Sequence, residues 1–358
     1  MQIDFHHAVT YVLSRLAGFS QEESEIISYS SQYVDDATKH GVIKFTNDAM
    51  YTSTSSAHKL IDFQNTISTE NYRVWVPFHF LPGNGGLKAG EDPEGGFINK
   101  LVCYPDSYVA EEMLTYCIAD HDKPYGLHRL GVTIHVLADT FSHQGFAGVI
   151  HKINDVARLD SDLKIESLGF FKDLLERLKT LFIDRALPLG HGAALTCPDL
   201  PYLKWGYTNE YHSDLMGRDN TVIYNDAVLS IFESLIKFRN KNVGCVINQQ
   251  ILPEDLKQIR SNIENFTNPS GTVRHQQWIE SIARGEFSFG PETISYISQG
   301  LGSWKQKALL VETDSESYKY EYSVSFLSSN WKMFHDALQK HLFEVIHDIL
   351  PKYGICVS

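Results

Sequence analysis

The chain has 358 residues, about 2.4 times the ~150 of a typical domain, which admits one large unit or two ordinary ones and excludes a disulfide-stapled miniature scaffold. At 43% hydrophobic and 21% charged residues, it has the composition of a globular chain able to bury a large core. Thirty-one Lys and Arg against 44 Asp and Glu leave a net charge of −13, which repels nucleic-acid phosphates and argues against nucleic acid as a partner.

Phe5, Ala8, Val9, Val12, Leu13 and Leu16 recur with a helical period over Asp4 to Ala17, and Gly18 supplies a natural stop. Ser20, followed three residues later by Glu23, forms a capping box that opens a second helix running to Asp35 and Asp36. Residues 71–81, rich in β-branched and aromatic side chains, predict a strand or extended segment with His79 near its end. Residues 82–96, dense in Gly and Pro, predict a loop, a candidate lid beside His79.

Asp106 to Ala119 predicts a helix, and Pro124 suits the first turn of another that runs to about Gln144. Further helices are expected at about 163–184, 224–240, 253–266, 273–284 and 326–350. The expected fold is a mainly α multi-helix bundle with minor β or extended segments. With no internal repeat or linker, one domain over 1–358 is expected: a core in 1–210 and a helical layer over about 245–358. Five scattered cysteines, none paired as CxxC, indicate neither a disulfide framework nor a zinc ribbon. No signal peptide or run of apolar residues long enough for a membrane span is recognisable, so a cytoplasmic protein, or one exported without a classical signal, is expected.

Sixteen histidines are many for this length, and neutral imidazole is the commonest metal ligand. The richest segment is residues 125–148, where His128, His135, Asp139 and His143 are spaced by seven, four and four. At about 100° per residue these steps return to one face, so His135, Asp139 and His143 share a stripe. Their neighbours Leu130, Ile134, Val136, Leu137 and Phe141 imply burial, and buried polar groups need partners or a metal. An aspartate between two histidines could bridge two ions.

This H-x3-D-x3-H pattern resembles the core helix of the zinc-dependent phospholipase C and single-strand nuclease superfamily, in spacing closest to its bacterial and fungal branches. The resemblance implies an all-α fold, two or three Zn2+ ions, and hydrolysis of a phosphoester by metal-activated water, with a small or lipid phosphodiester as substrate. It implies His135 and Asp139 as the core pair with Asp139 bridging, His143 as the next ligand, His6 or His7 from the first helix, Asp35 or Asp36 as the early carboxylate, and His79 before the core helix. Asp139, Asp36 and His79 are the residues expected to bear on the reaction itself. For the last pair, His191 with Asp199 and His151 with Asp155 both fit; the aromatic run Tyr202, Trp205 and Tyr207 could cage a choline-like cation. The phospholipases use the processed N-terminal amine as a ligand, and a chain opening on Met1 departs from that pattern. Two alternatives stand beside this one: an HD-type or nucleotide phosphohydrolase built on His121 and Asp122, and a non-catalytic interaction protein stabilised by metal.

Overall fold

A computed structural model describes residues 1–58, 68–161, 194, 196–209, 216–311 and 319–356. It is mainly helical with small antiparallel sheets. The first helix, α1, opens with a π-helical turn, Asp4–Val9, and continues as Thr10–Leu16. Gly18, at φ 92°, ends it in the left-handed region that favours glycine. Helix α2, Gln21–Asp36, starts on the expected capping box: Ser20 accepts from the Glu23 amide and Glu23 accepts from the Ser20 amide.

Strands β1, Gly41–Lys44, and β2, Met50–Ser53, pair antiparallel. Next comes α3, Ser68–Phe78; the strand expected over 71–81 is therefore a helix. Val74, Val76 and Phe78 are all buried, and a segment enclosed on nearly every side carries no polar face from which its period can be read. The loop 82–96 is irregular, as expected, and the Asn84 side chain pins it by donating to the carbonyls of Leu87, Lys88 and Glu91.

Short α4, Ile98–Leu101, precedes α5, Tyr108–Ala119, and α6, Gly126–Ser142. A second sheet follows: β3 (Arg158–Ser161), β4 (Lys204–Thr208) and β5 (Met216–Asp219), in the order β3-β4-β5. The remaining helices are α7, Asn220–Arg239; α8, Pro253–Asn265; α9, Gly271–Ala283; α10, Trp304–Leu309; and α11, Asn330–Phe343, extended by a π-helical turn, Glu344–Ile349. The helix expected at 163–184 lies outside the described residues.

Helix α6 is central, packed against α2, α5, α7 and α11. Every residue from His128 to Ser142 is buried. Its contact with α2 is set by Gly131, where an added Cβ would meet the Ile27 carbonyl oxygen at 2.4 Å and the Ser30 Cβ at 2.5 Å. That close approach brings the α2 backbone against the histidine stripe of α6. The C-terminal third braces the same region. Arg274 of α9 binds both oxygens of buried Asp4 at 2.6 and 3.1 Å, and Arg129 of α6 pairs with Glu344 at 2.8 Å with both side chains buried. The main core draws on residues from Met1 to Ile355.

Two outcomes follow. Gly131→Ala has to push α2 from α6, lowering unfolding free energy by about 1–3 kcal/mol in chemical denaturation. His335 of α11, buried and accepting from the Thr54 amide on Nδ1, is held neutral, burial lowering its pKa from 6.5 to about 3. Its share of stability is therefore complete above pH 6.5 and is lost as pH falls towards 3, by roughly 1.4 kcal/mol per pH unit. His335→Asn keeps an acceptor for Thr54 and should flatten the acid limb of urea-unfolding stability by about that slope.

Candidate metal centre

Three histidines are fixed in the same way. A carbonyl oxygen can only accept, so a ring nitrogen facing one carries the hydrogen and leaves its opposite nitrogen with a free lone pair. His135 Nδ1 donates to the Ser31 carbonyl at 2.8 Å, His79 Nε2 to the Ser56 carbonyl at 2.9 Å, and His143 Nδ1 to the His79 carbonyl at 2.7 Å. Outer hydrogen bonds of this kind are the ones that orient metal-binding imidazoles.

The freed nitrogens converge. His79 Nδ1 and His135 Nε2 are 3.2 Å apart, and each lies 3.2 or 3.3 Å from Asp139 Oδ2. Asp35 Oδ1 stands 3.8 Å from the first and 3.9 Å from the second. Four acceptors therefore face one point, and such a group needs a proton or a cation among them. Burial works against a charge on His79, but the hydrogen bond and charge of Asp139, then Asp35, raise its pKa, while burial raises that of Asp35.

The other oxygen of Asp139, Oδ1, faces a second set. The Met1 amine lies 2.7 Å from it and His6 Nε2 3.2 Å. Neither ring nitrogen of the fully buried His6 has a hydrogen-bond partner. Its ring stacks on His135 with centroids 3.9 Å apart, and burial lowers both imidazoles to about 4. The Met1 amine also reaches Asp199 Oδ1 at 3.1 Å. Burial opposes its charge, yet Asp139 and Asp199 raise it from 8.0 to about 11. Asp139 also resists the cost of burial: the Met1 ammonium first, then His143, His135 and His6, hold it well below the usual carboxylate range.

Among the described residues, two groups of side chains could thus hold a metal ion, His6 with His135 and Asp139, and Asp35 with His79 and His135; within each group the ligand atoms lie within 4.8 Å of one another. The donor set is imidazole and carboxylate, which suits a divalent transition metal. A buried imidazole with both nitrogens unsatisfied argues in the same direction.

Of the residues expected from the sequence, His6, Asp35, His79, His135 and Asp139 come together. His143 and Asp199 stand at the margin, His143 Nε2 3.6 Å from Asp199 Oδ1. His7 turns instead to His275 of α9, with its Nδ1 2.9 Å from His275 Nε2. Asp36 is taken up by the Tyr296 hydroxyl at 2.5 Å and by Gln32 at 3.2 Å, so it is no ligand in this arrangement. His128 pairs with Asn330, and His151 accepts from the Ile153 amide as the cap of a short turn. His191 lies outside the described residues. Trp205 and Tyr207 do not form an open cage: both are buried, stacked on one another in β4, with Tyr207 also on Phe146. His121 and Asp122 occupy the turn between α5 and α6, His121 bonded to the Ile118 carbonyl and Asp122 exposed beside Lys123; neither joins the cluster.

Sequence reasoning missed the carbonyls of Ser31, Ser56 and His79, since backbone acceptors leave no mark in residue identity. The only legible hint was the small Gly131, which admits the α2 backbone.

The fold and site together define a mainly helical protein with a buried histidine and aspartate cluster able to hold metal. The chain belongs to DUF6765, a family of unknown function, whose model matches residues 1–349. No curated protein and no solved structure matches it.

The first helix gives a sharp test. His6→Ala should sharply reduce the metal carried by protein purified without a histidine tag or chelator, whereas His7→Ala, losing contacts with His275 and the Tyr296 ring but no ligand atom, should keep its metal. Elemental analysis reads both, and equal loss in the two variants would mean that the site is placed wrongly.

Proposed function

We propose that the protein is a zinc-dependent hydrolase of a phosphoester, in the manner of the phospholipase C and nuclease superfamily that its core helix resembles. The observation that carries this reading is the divided carboxylate of Asp139, with Oδ2 turned to His79 and His135 and Oδ1 to His6 and the Met1 amine. One ion would be held by Asp35, His79, His135 and Asp139, and a second by Asp139 and His6. His143 with Asp199 offers a third position. When bound, zinc supplies a water acidic enough to ionise near neutral pH and a positive charge towards phosphoryl oxygens.

The chain's own residues do the rest. The carbonyls of Ser31, Ser56 and His79 hold three imidazoles in one tautomer and direction, so the donor set is formed before any ligand arrives. Apolar neighbours on α6 exclude water from the inner side. The open edge is at Asp35, whose side chain is 32% exposed, with Asp199 next at 12%. Substrate has to enter there. The excess of acidic residues disfavours a long polyanion, so a small phosphodiester such as a phospholipid headgroup is the substrate class proposed.

One observation favours a second reading, a metal site that serves only stability: His6, His79, His135 and Asp139 are almost wholly buried, as in closed structural sites. The two separate in one experiment. Zinc-loaded protein should hydrolyse a chromogenic phosphodiester such as p-nitrophenyl phosphorylcholine, and Asp139→Asn should lose both zinc and hydrolysis. Protein that binds zinc, gains thermal stability from it and cleaves neither phosphodiesters nor phosphomonoesters would establish the structural role instead.

A further inference from the structure

We propose that Tyr296, acting through Asp36 and Gln32, is a positioning residue that fixes Asp35 for the metal. The inference rests on the metal-binding reading above and adds to it a residue from the far end of the chain that touches neither ligand set.

The last turn and a half of α2 carries Gln32, Asp35 and Asp36, spaced as helical neighbours. Gln32 is buried, and its Nε2 lies 3.4 Å from Asp35 Oδ2 and 3.2 Å from Asp36 Oδ2. A side-chain amide has two hydrogens, so one group can serve both carboxylates. Asp35 is thereby divided: Oδ2 meets the Gln32 amide while Oδ1 faces His79 and His135. Asp36 Oδ2 receives a second donor, the Tyr296 hydroxyl, at 2.5 Å.

Why the helix end needs this clamp follows from its charges. Two adjacent carboxylates at a helix C-terminus repel each other and face the negative end of the helix dipole. Asp35 is already partly exposed, and without a fixed partner its favourable course is to rotate towards water. Tyr296 prevents this at one remove. Its O–H holds Asp36, the held Asp36 fixes the position of the Gln32 amide, and that amide keeps Asp35 turned to the cluster.

Tyr296 can act as an anchor because its own segment is tied down. Glu292 accepts from the Tyr11 hydroxyl and from Arg15, the Tyr29 hydroxyl donates to the Ile297 carbonyl, and the Tyr296 ring packs on Tyr29 at 4.6 Å and on His7 at 5.3 Å. A segment without regular structure is thus fastened to α1 and α2 on both sides of the hydroxyl. Outer residues of this kind typically change metal affinity by about 10–100-fold.

The test measures zinc affinity by competition with a chromogenic chelator. Tyr296→Phe, which keeps the ring and removes only the hydroxyl, should bind zinc about tenfold more weakly. Tyr51→Phe, which removes a half-buried hydroxyl bonded to Lys332 and Asp336 of α11 and leaves Asp36 and the Tyr296 segment untouched, should bind as wild type does. In an Asp35→Asn background, Tyr296→Phe should have no further effect. Equal weakening by Tyr296→Phe and Tyr51→Phe, or a loss that persists in the Asp35→Asn background, would overturn the proposal while leaving the metal site standing. Wild-type protein that takes up no zinc would overturn both.

Discussion

Everything in this molecule that bears on chemistry depends on one buried carboxylate. Asp139 sits in the last turn of α6 with almost no exposure, and each of its oxygens faces a different set of nitrogens. A lone carboxylate in such a place would neutralise itself by taking a proton, because desolvation penalises its charge. Here the charge of the Met1 ammonium, ahead of the histidines, opposes that cost and holds it ionised. The surrounding helices are arranged so that these groups arrive from distant parts of the chain at one point.

That arrangement follows from a few local facts of packing. Gly131 lets the backbone of α2 lie against α6, and the carbonyl of Ser31 then meets His135. The π-helical turn that opens α1 carries His6 to the cluster and His7 to α9, so successive residues serve the centre and its brace. Arg274 clamps Asp4 in the same turn. The C-terminal helices thus set the geometry of the first helix and, through Tyr296, of the second. The bidentate pair of Arg274 with Asp4 lies two positions from His6, a metal ligand candidate.

Much of this was legible in the sequence, and the reasons differ from residue to residue. The Ser20 and Glu23 box and the stripe on α6 are short-range patterns, and both appear as their spacing predicts. The segment before His79 was misread as extended because its apolar residues are buried on several sides, which erases the polar half of a helical period. The choice between His6 and His7, or between Asp35 and Asp36, turns on about one residue's rotation, which periodicity alone does not resolve. The role given to Asp36 was wrong for a similar reason: its partner, Tyr296, is 260 positions away, and nothing local announces it. The aromatic run after Asp199 looked like a cation cage and is instead the packed face of a small sheet.

The charge balance of the cluster links its protons to any metal it holds. Among the described residues, Asp35, Asp139 and Asp199 meet there, and the bases that face them are the Met1 amine, raised to about 11, and His79, whose pKa is also raised. Both are ordinary bases once their protons leave, and both already face the carboxylate that would bind a cation. A divalent ion entering between Asp139 and the imidazoles would do electrostatically what those protons do, so metal and protons compete for the same lone pairs. Protons and a metal ion would therefore be alternative occupants of the same lone pairs, and acidity would set the balance between them.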